Sequence, residues 1–111
     1  KDIIIRGGEN ISATEIEDMI ITHPAVADAA CVAMPDPRLG EKVCSYVKLV
    51  PGKSLIFEDM ITHLKNQGAS SLLVPERLEI LEEFPLTPVG KVDKKVLRDE
   101  IAKKLASESG A

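Results

Sequence analysis

Aromatic residues are nearly absent from this chain of 111 residues: two Phe, one Tyr and no Trp, or 3 % in all. A core built without large rings must come from Ile, Val, Leu and Ala, and hydrophobic residues at 44 % supply enough of them. Cysteine is scarce too. Cys31 and Cys44 are too few for a disulfide scaffold or a zinc site, and both lie in apolar alternating runs, so they read as buried thiols. No apolar run approaches the roughly 20 residues that a membrane helix needs, and no signal peptide precedes the first strand-like stretch. Those features point to a cytoplasmic chain with no membrane contact. An excess of positive charge is also missing. The net charge is −4, against the clustered Lys and Arg that phosphate backbones require. Lys91, Lys94, Lys95, Arg98, Lys103 and Lys104 do form a basic stretch, but Asp93, Asp99 and Glu100 interleave with it, as on an ordinary helix surface. Nucleic acid is therefore not an expected partner. There is no methionine at the start, so the chain is expected to be a piece of something larger.

What is present reads as strand, helix, strand, strand, helix, strand, helix. Ile3-Ile4-Ile5 is a β-branched run closed by Arg6-Gly7-Gly8. Ser12 and Glu15 have capping-box spacing before a helix with Ile16, Met19, Ile20 and His23 on one side, closed by Pro24. Ala25 to Met34 and Val43 to Val50 read as two strands joined by the turn-rich Pro35–Gly40 segment, an antiparallel pair. Ser54 is the expected cap of a second helix through Gln67, with Phe57, Met60, Ile61 and Leu64 buried and Gly68 as its stop. A third strand spans Arg77 to Leu81. Asp93 is placed to cap a last helix with Val96, Leu97, Ile101 and Leu105 inward. The expected class is α+β: a small antiparallel sheet of about three strands flanked by helices, preceded by a short strand or hairpin segment. One domain should span residues 1–105, with a frayed tail over 106–111.

Two loops carry the chemistry. Arg6-Gly7-Gly8-Glu9-Asn10-Ile11 sets two glycines where the backbone can take positive φ and let another group approach closely. As residues alone, these also fit a plain tight turn. They lack the spacing of a dinucleotide fingerprint. Pro85-Leu86-Thr87-Pro88-Val89-Gly90-Lys91-Val92-Asp93 holds a lysine on a Pro/Gly loop directly before a helix. It fails the phosphate-loop test, because Pro85 stands where Gly is needed and Val92 where Ser or Thr is needed. Alone, Lys91 could equally be one more solvated cation.

Taken together, the two loops resemble the adenylate-forming superfamily, which contains acyl- and aryl-CoA synthetases, adenylation domains of nonribosomal peptide synthetases, and luciferases. Lys1 through Ile11, with Glu15 and Glu17 beyond, resembles the start of the C-terminal domain in that superfamily. Pro85 through Lys95 resembles its last motif. His23-Pro24-Ala25-Val26, Pro35-Asp36, Gly40-Glu41 and Val74-Pro75-Glu76-Arg77 fall between them in order. The pattern looks most like 2,3-dihydroxybenzoate–AMP ligases and acyl- or aryl-CoA ligases.

The resemblance implies a mobile domain that serves two half-reactions. Lys91 would be the catalytic lysine of acyl-adenylate formation. Gly7, Gly8 and Glu9 would face the pantetheine thiol in thioester formation. Lys1 and Asp2 would lie at the hinge to an N-terminal adenylation domain, and Pro88, Gly90 and Asp93 would support the Lys91 loop. It further implies ATP with Mg, a carboxylic acid, and CoA or a carrier-protein phosphopantetheine as partners of the full enzyme. The fragment would bind no cofactor or metal of its own and should be inactive alone. A stand-alone docking module for a carrier protein or partner domain is the alternative. One departure stands out: Leu72 and Leu73, after Ser70 and Ser71, occupy positions where the family often has an aromatic residue and a lysine.

Overall fold

The computed structural model describes residues 2–109. Strands β1 (Ile3–Arg6) and β2 (Glu9–Ser12) form a hairpin, followed by α1 (Ala13–Ile20). Strands β3 (Val26–Asp36) and β4 (Gly40–Leu49) come next, then α2 (Phe57–Asn66), β5 (Arg77–Ile80) and α3 (Lys94–Glu108). A short 3-10 turn covers Ser71–Leu73.

The long β3–β4 hairpin is the spine of the domain. Ten residue pairs run antiparallel from Val26–Leu49 to Asp36–Gly40. Because side chains alternate across a strand, each face of this hairpin carries its own core. Ala29, Cys31, Val43 and Val47 face α1 and α2, where Ile16, Ile20, Met60 and Leu64 cover them. Ala30, Val32, Met34, Cys44 and Tyr46 face the other way, against Leu97 and Ile101 of α3. The result is a sheet sandwiched between helices, with aliphatic side chains doing the filling. Both cysteines are fully buried, one on each face. Burial pushes each thiol up to about 12, with neighbouring groups making smaller contributions.

The α+β class is as expected, and the sheet is larger. It has five strands in the order β2-β1-β4-β3, with β5 also paired to β4. β5 runs parallel to β4 rather than antiparallel. The chain leaves the far end of β4, passes through α2, and returns to start again near Cys44, the helical crossover that parallel pairing requires.

Several local expectations hold and others are corrected. Ser12 caps α1 by accepting from the Glu15 amide at 3.2 Å, and Asp93 caps α3 through the Val96 amide at 3.3 Å. Ser54 caps nothing. The chain stays extended through Ile56, which seats Leu55 in the core at 7 % exposure, and α2 begins at Phe57 with Glu58 and Asp59 in its first turn. α1 ends at Ile20, so His23 lies in the following turn, its Nδ1 accepting from the Ala25 amide. β3 runs on through Pro35 to Asp36, where the Asp36 carboxylate accepts from the Arg38 and Leu39 amides and turns the chain. Val96 is 47 % exposed, and the stripe it was assigned to consists of Leu97 and Ile101, with Leu105 at its margin. Finally, α3 runs through Glu108, whose carboxylate accepts from two guanidinium nitrogens of Arg77 in β5 at 3.0 and 2.6 Å.

Candidate functional site

Both chemistry-bearing loops are tight hairpin turns built on glycine. In the first, Gly7 (φ 56°) and Gly8 (φ 85°) join β1 to β2 across the Arg6–Glu9 pair. Two consecutive positive φ values are the mark of the two-residue turn whose twist suits a hairpin. Gly7 has a second constraint. Its amide donates to the Leu39 carbonyl at 2.8 Å, and a Cβ there would meet the Leu39 side chain at 3.2 Å. A Cβ at Gly8 would meet nothing within 4 Å. Gly7, Gly8 and Glu9 are all exposed, so this turn presents bare backbone to solvent.

Arg6 fixes the turn from behind. Its guanidinium, with the side chain 10 % exposed, pairs with the Glu76 carboxylate and donates to the carbonyls of Leu72 (2.7 Å), Val74 (3.3 Å) and Ser71 (3.4 Å). Glu76 in turn accepts from the Val43 amide at 2.8 Å. One arginine thus ties the β1–β2 hairpin to the Ser71–Leu73 turn, where the departures from the family pattern lie.

The second loop is a three-residue hairpin loop. The Gly90 amide donates to the Thr87 carbonyl at 2.9 Å, and the Thr87 amide to the Lys91 carbonyl at 2.7 Å. Gly90 takes φ 85°, and Leu86 bridges Val92. Pro88 pre-sets the first turn position and Gly90 the left-handed one. The Thr87 hydroxyl accepts from the Lys91 amide at 3.3 Å. The base closes where the Asp93 amide donates to the Pro85 carbonyl at 2.8 Å, so the hairpin leads straight into the capped N-terminus of α3. Pro88 and Gly90 thus shape the turn, and Asp93 closes its base and caps α3.

Lys91 itself is exposed. Its neighbours are engaged: Lys94 with Asp2 and Glu17, and Lys95 with Asp99. Among the described residues the Lys91 ammonium pairs with no carboxylate. A cation held on a rigid backbone, yet not neutralised, can be delivered to an anionic ligand without first breaking an internal bond. Around it, Leu86 (61 %), Val89 (80 %) and Val96 (47 %) are exposed apolar side chains. On the β1–β2 hairpin, Ile3 (47 %) and Ile5 (51 %) are also exposed, as is Leu72 (43 %) of the turn that Arg6 holds.

The two loops are not brought into one pocket. The Gly7-Gly8 turn sits on the β1–β2 hairpin, pinned to the Leu39 turn and the Ser71–Leu73 turn, while the Lys91 hairpin belongs to the layer of α3. Asp2 is fastened to the body of the domain: its carbonyl accepts from the Ala13 amide at 3.0 Å and its carboxylate meets Lys94. Lys1 lies outside the described residues. No group of three or more metal-binding side chains occurs among the described residues, and no helix among them is long and apolar enough to cross a membrane.

Arg6, Glu17, Glu76 and Lys94 fall within the motifs read from the sequence, which gave none of them a role. For Lys94 a signal was available: it precedes Leu97, Ile101 and Leu105 by three, seven and eleven positions, on the buried stripe of α3.

A small sheet between helices thus carries two glycine-turn hairpins of different character. The family is then explicit: residues 15–91 match the family model of the AMP-binding enzyme C-terminal domain, and the chain belongs to that family. It is 42 % identical over 109 residues to the medium-chain fatty-acid–CoA ligase of Escherichia coli, covering 97 % of this chain and 19 % of that one. It is 43 % identical over 105 residues to the 2,3-dihydroxybenzoate-AMP ligase of Bacillus subtilis, covering 95 % and 19 %. Among solved structures, MbtA of Mycobacterium smegmatis superposes with a TM-score of 0.85 at 41 % identity, over 90 % of this chain and 19 % of that one. The acyl-CoA synthetase of Brucella canis gives 0.85 at 33 %, over 95 % and 20 %. The chain thus spans about a fifth of the length of the relatives it matches.

Proposed function

We propose that this chain works as the mobile C-terminal domain, residues 1–105 and the helical extension beyond, of an AMP-forming carboxylic acid–thiol ligase, and that Lys91 is its adenylation lysine. In the first half-reaction a carboxylate oxygen attacks the α-phosphorus of ATP, giving acyl-AMP and pyrophosphate. In the second a thiol attacks the acyl carbon, and AMP leaves. The attacking carboxylate and the triphosphate repel each other, and a compact ammonium set between them offsets that repulsion where charge concentrates. The observation that carries the reading is the Lys91 hairpin: an unneutralised ammonium on a doubly hydrogen-bonded turn, hung from a capped helix.

The second half-reaction belongs to the Gly7-Gly8 turn. Its exposed, side-chain-free backbone suits the approach of a narrow pantetheine arm, with Glu9 beside it. Two loops in different parts of the domain cannot serve one reacting centre in one pose, so the domain turns between half-reactions about a pivot at Lys1, with Asp2 carried in the moving body. ATP with Mg, the acid, and CoA or a carrier-protein phosphopantetheine would then be bound mainly through the preceding adenylation domain. The acid is of aryl or fatty type, the kinds named for the relatives.

Lys91→Ala in the full-length ligase tests the assignment. ATP–pyrophosphate exchange should fall by about 10²–10³-fold, the usual loss for one preorganised charge at a reacting centre, and acyl transfer from supplied acyl-AMP should persist. Adenylation that survives the substitution, or equal loss in both halves, overturns the role given to Lys91.

A further inference from the structure

Lys94 stands out among the cations of α3 because its side chain leaves solvent: it is 19 % exposed and touches two carboxylates, those of Asp2 and Glu17. The Glu17 oxygen that meets Lys94 also accepts from the Cys31 amide at 2.7 Å. Cys31 lies in β3, the last strand of the β2-β1-β4-β3 path, so this bond satisfies an amide on the open edge of the sheet. α1, which carries Glu17, covers one face of the hairpin, and α3, which carries Lys94, covers the other. Lys94 therefore reaches around a free sheet edge and closes it with a charged latch between the two helical layers. Burial alone would disfavour its ammonium, but bonds to Asp2 and Glu17 outweigh that and raise its pKa, so the latch is charged at neutral pH.

Besides Lys94, the first turn of α3 is held by Leu97, which is buried and whose carbonyl accepts from the Tyr46 hydroxyl at 3.3 Å. Lys95 pairs within the helix, with Asp99 at 3.2 Å, and Val96 faces solvent. Val92 packs on the core and sets depth, but an apolar contact is not directional. The Lys91 hairpin hangs from this turn through the Asp93 amide and the Pro85 carbonyl.

We propose that Lys94 is a positioning residue for adenylation: by locking the first turn of α3 to Glu17 and Asp2 across the edge of β3, it aims the Lys91 hairpin. This rests on the reading of Lys91 as the adenylation lysine. The latch also binds Asp2 to the same rigid unit as the hairpin, so a rotation entering the domain at its first residues is carried to Lys91 without slack.

The test uses the full-length ligase with Lys94→Met, Lys94→Arg, Asp2→Asn and Lys91→Ala. ATP–pyrophosphate exchange is measured with salicylate, 2,3-dihydroxybenzoate and octanoate, and acyl transfer from the matching synthetic acyl-AMP. Lys94→Met should lower the kcat of exchange by about 10–100-fold, as a displaced catalytic group does, with KM for ATP unchanged and acyl transfer retained. Lys94→Arg should restore most of the loss, because a longer cation still spans the two carboxylates. Asp2→Asn alters a side chain that is 40 % exposed and spares the core, so it keeps the test open if Lys94→Met folds poorly. It should give the same split between the half-reactions, more weakly. The proposal is overturned if Lys94→Met and Asp2→Asn leave exchange intact while Lys91→Ala abolishes it, or if both half-reactions fall together. Should Lys91→Ala itself leave exchange intact, it is the adenylation assignment that fails, and the aiming role with it.

Discussion

Substitution of Gly8 separates two effects that usually travel together. Gly8 adopts φ 85°, and a Cβ there meets no atom within 4 Å. Any L-residue at this position therefore bears the cost of the left-handed backbone, about 1–2 kcal/mol, and no steric clash. Ala and Leu should bear nearly the same cost, since both add a Cβ to the same backbone and open space lies beyond it. Both should lower the melting temperature of the domain by a similar amount, about 4–8 °C for each kcal/mol. Asn, which tolerates this region, should lower it less. Function should divide differently. If a pantetheine arm passes over the turn, a leucine side chain stands in its path and an alanine methyl hardly does. Acyl transfer from supplied acyl-AMP should then fall by about 10²-fold in Gly8→Leu and only slightly in Gly8→Ala, with pyrophosphate exchange near normal in both. Equal transfer rates in the two variants, at equal stability, would refute the obstruction argument and leave the glycine pair as a turn and nothing more. Gly7→Ala is a useful contrast, because its Cβ also presses on Leu39 at 3.2 Å and should cost more stability than Gly8→Ala.

The remaining expectations are simpler to check. The isolated domain should unfold cooperatively on heating, since both faces of its sheet are packed, and should show no pyrophosphate exchange with any acid; measurable exchange would contradict the division of labour proposed here. Asp93→Ala removes the cap of α3 and should cost about 0.5–2 kcal/mol in urea denaturation; no change in midpoint would mean that the Val96 amide finds another partner. Cys31 and Cys44 have folded-state thiols raised to about 12 from an ordinary 9.0. The folded state therefore holds these protons more tightly than the unfolded chain. Their contribution to stability is complete below pH 9 and is lost as pH climbs from about 9 towards 12, so the urea midpoint should fall across that window and fall less in a Cys31→Ala, Cys44→Ala double variant. Neither thiol should react with a thiol reagent at neutral pH until the domain unfolds.

Elements governed by neighbours in sequence were legible. The caps at Ser12 and Asp93 follow from residue type and spacing, the β3–β4 pairing from two alternating runs around a turn, and the end of α2 from Gly68. Local rules failed where a distant partner decided the outcome. Ser54 has the chemistry of a helix cap, but the core needed Leu55, and an extended segment delivers it. Nothing near Glu9–Ser12 marks a strand; it becomes one because the Gly7-Gly8 turn folds it back on Ile3–Arg6. The parallel course of β5 is a consequence of α2 lying between it and β4, and short strands carry no mark of direction.

The candidate site divides along the same line. Lys91 and the two glycine turns stand out in the sequence because their loops are unusual in composition, and the resemblance joins them into one reading. The residues that hold those loops in place were missed because each is ordinary in type. Arg6 reads as the last residue of a strand, yet it gathers three carbonyls and a carboxylate from residues 71–76. Lys94 reads as one of several lysines, yet its heptad position on the stripe of Leu97, Ile101 and Leu105 places it inward, where an ammonium persists only with carboxylates around it. A charged residue on an apolar stripe is thus a sequence-level signal that two elements will be joined by an ion pair. It does not name the partner, since Asp2 and Glu17 lie 92 and 77 positions away from Lys94 and only the folded sheet edge brings all three together.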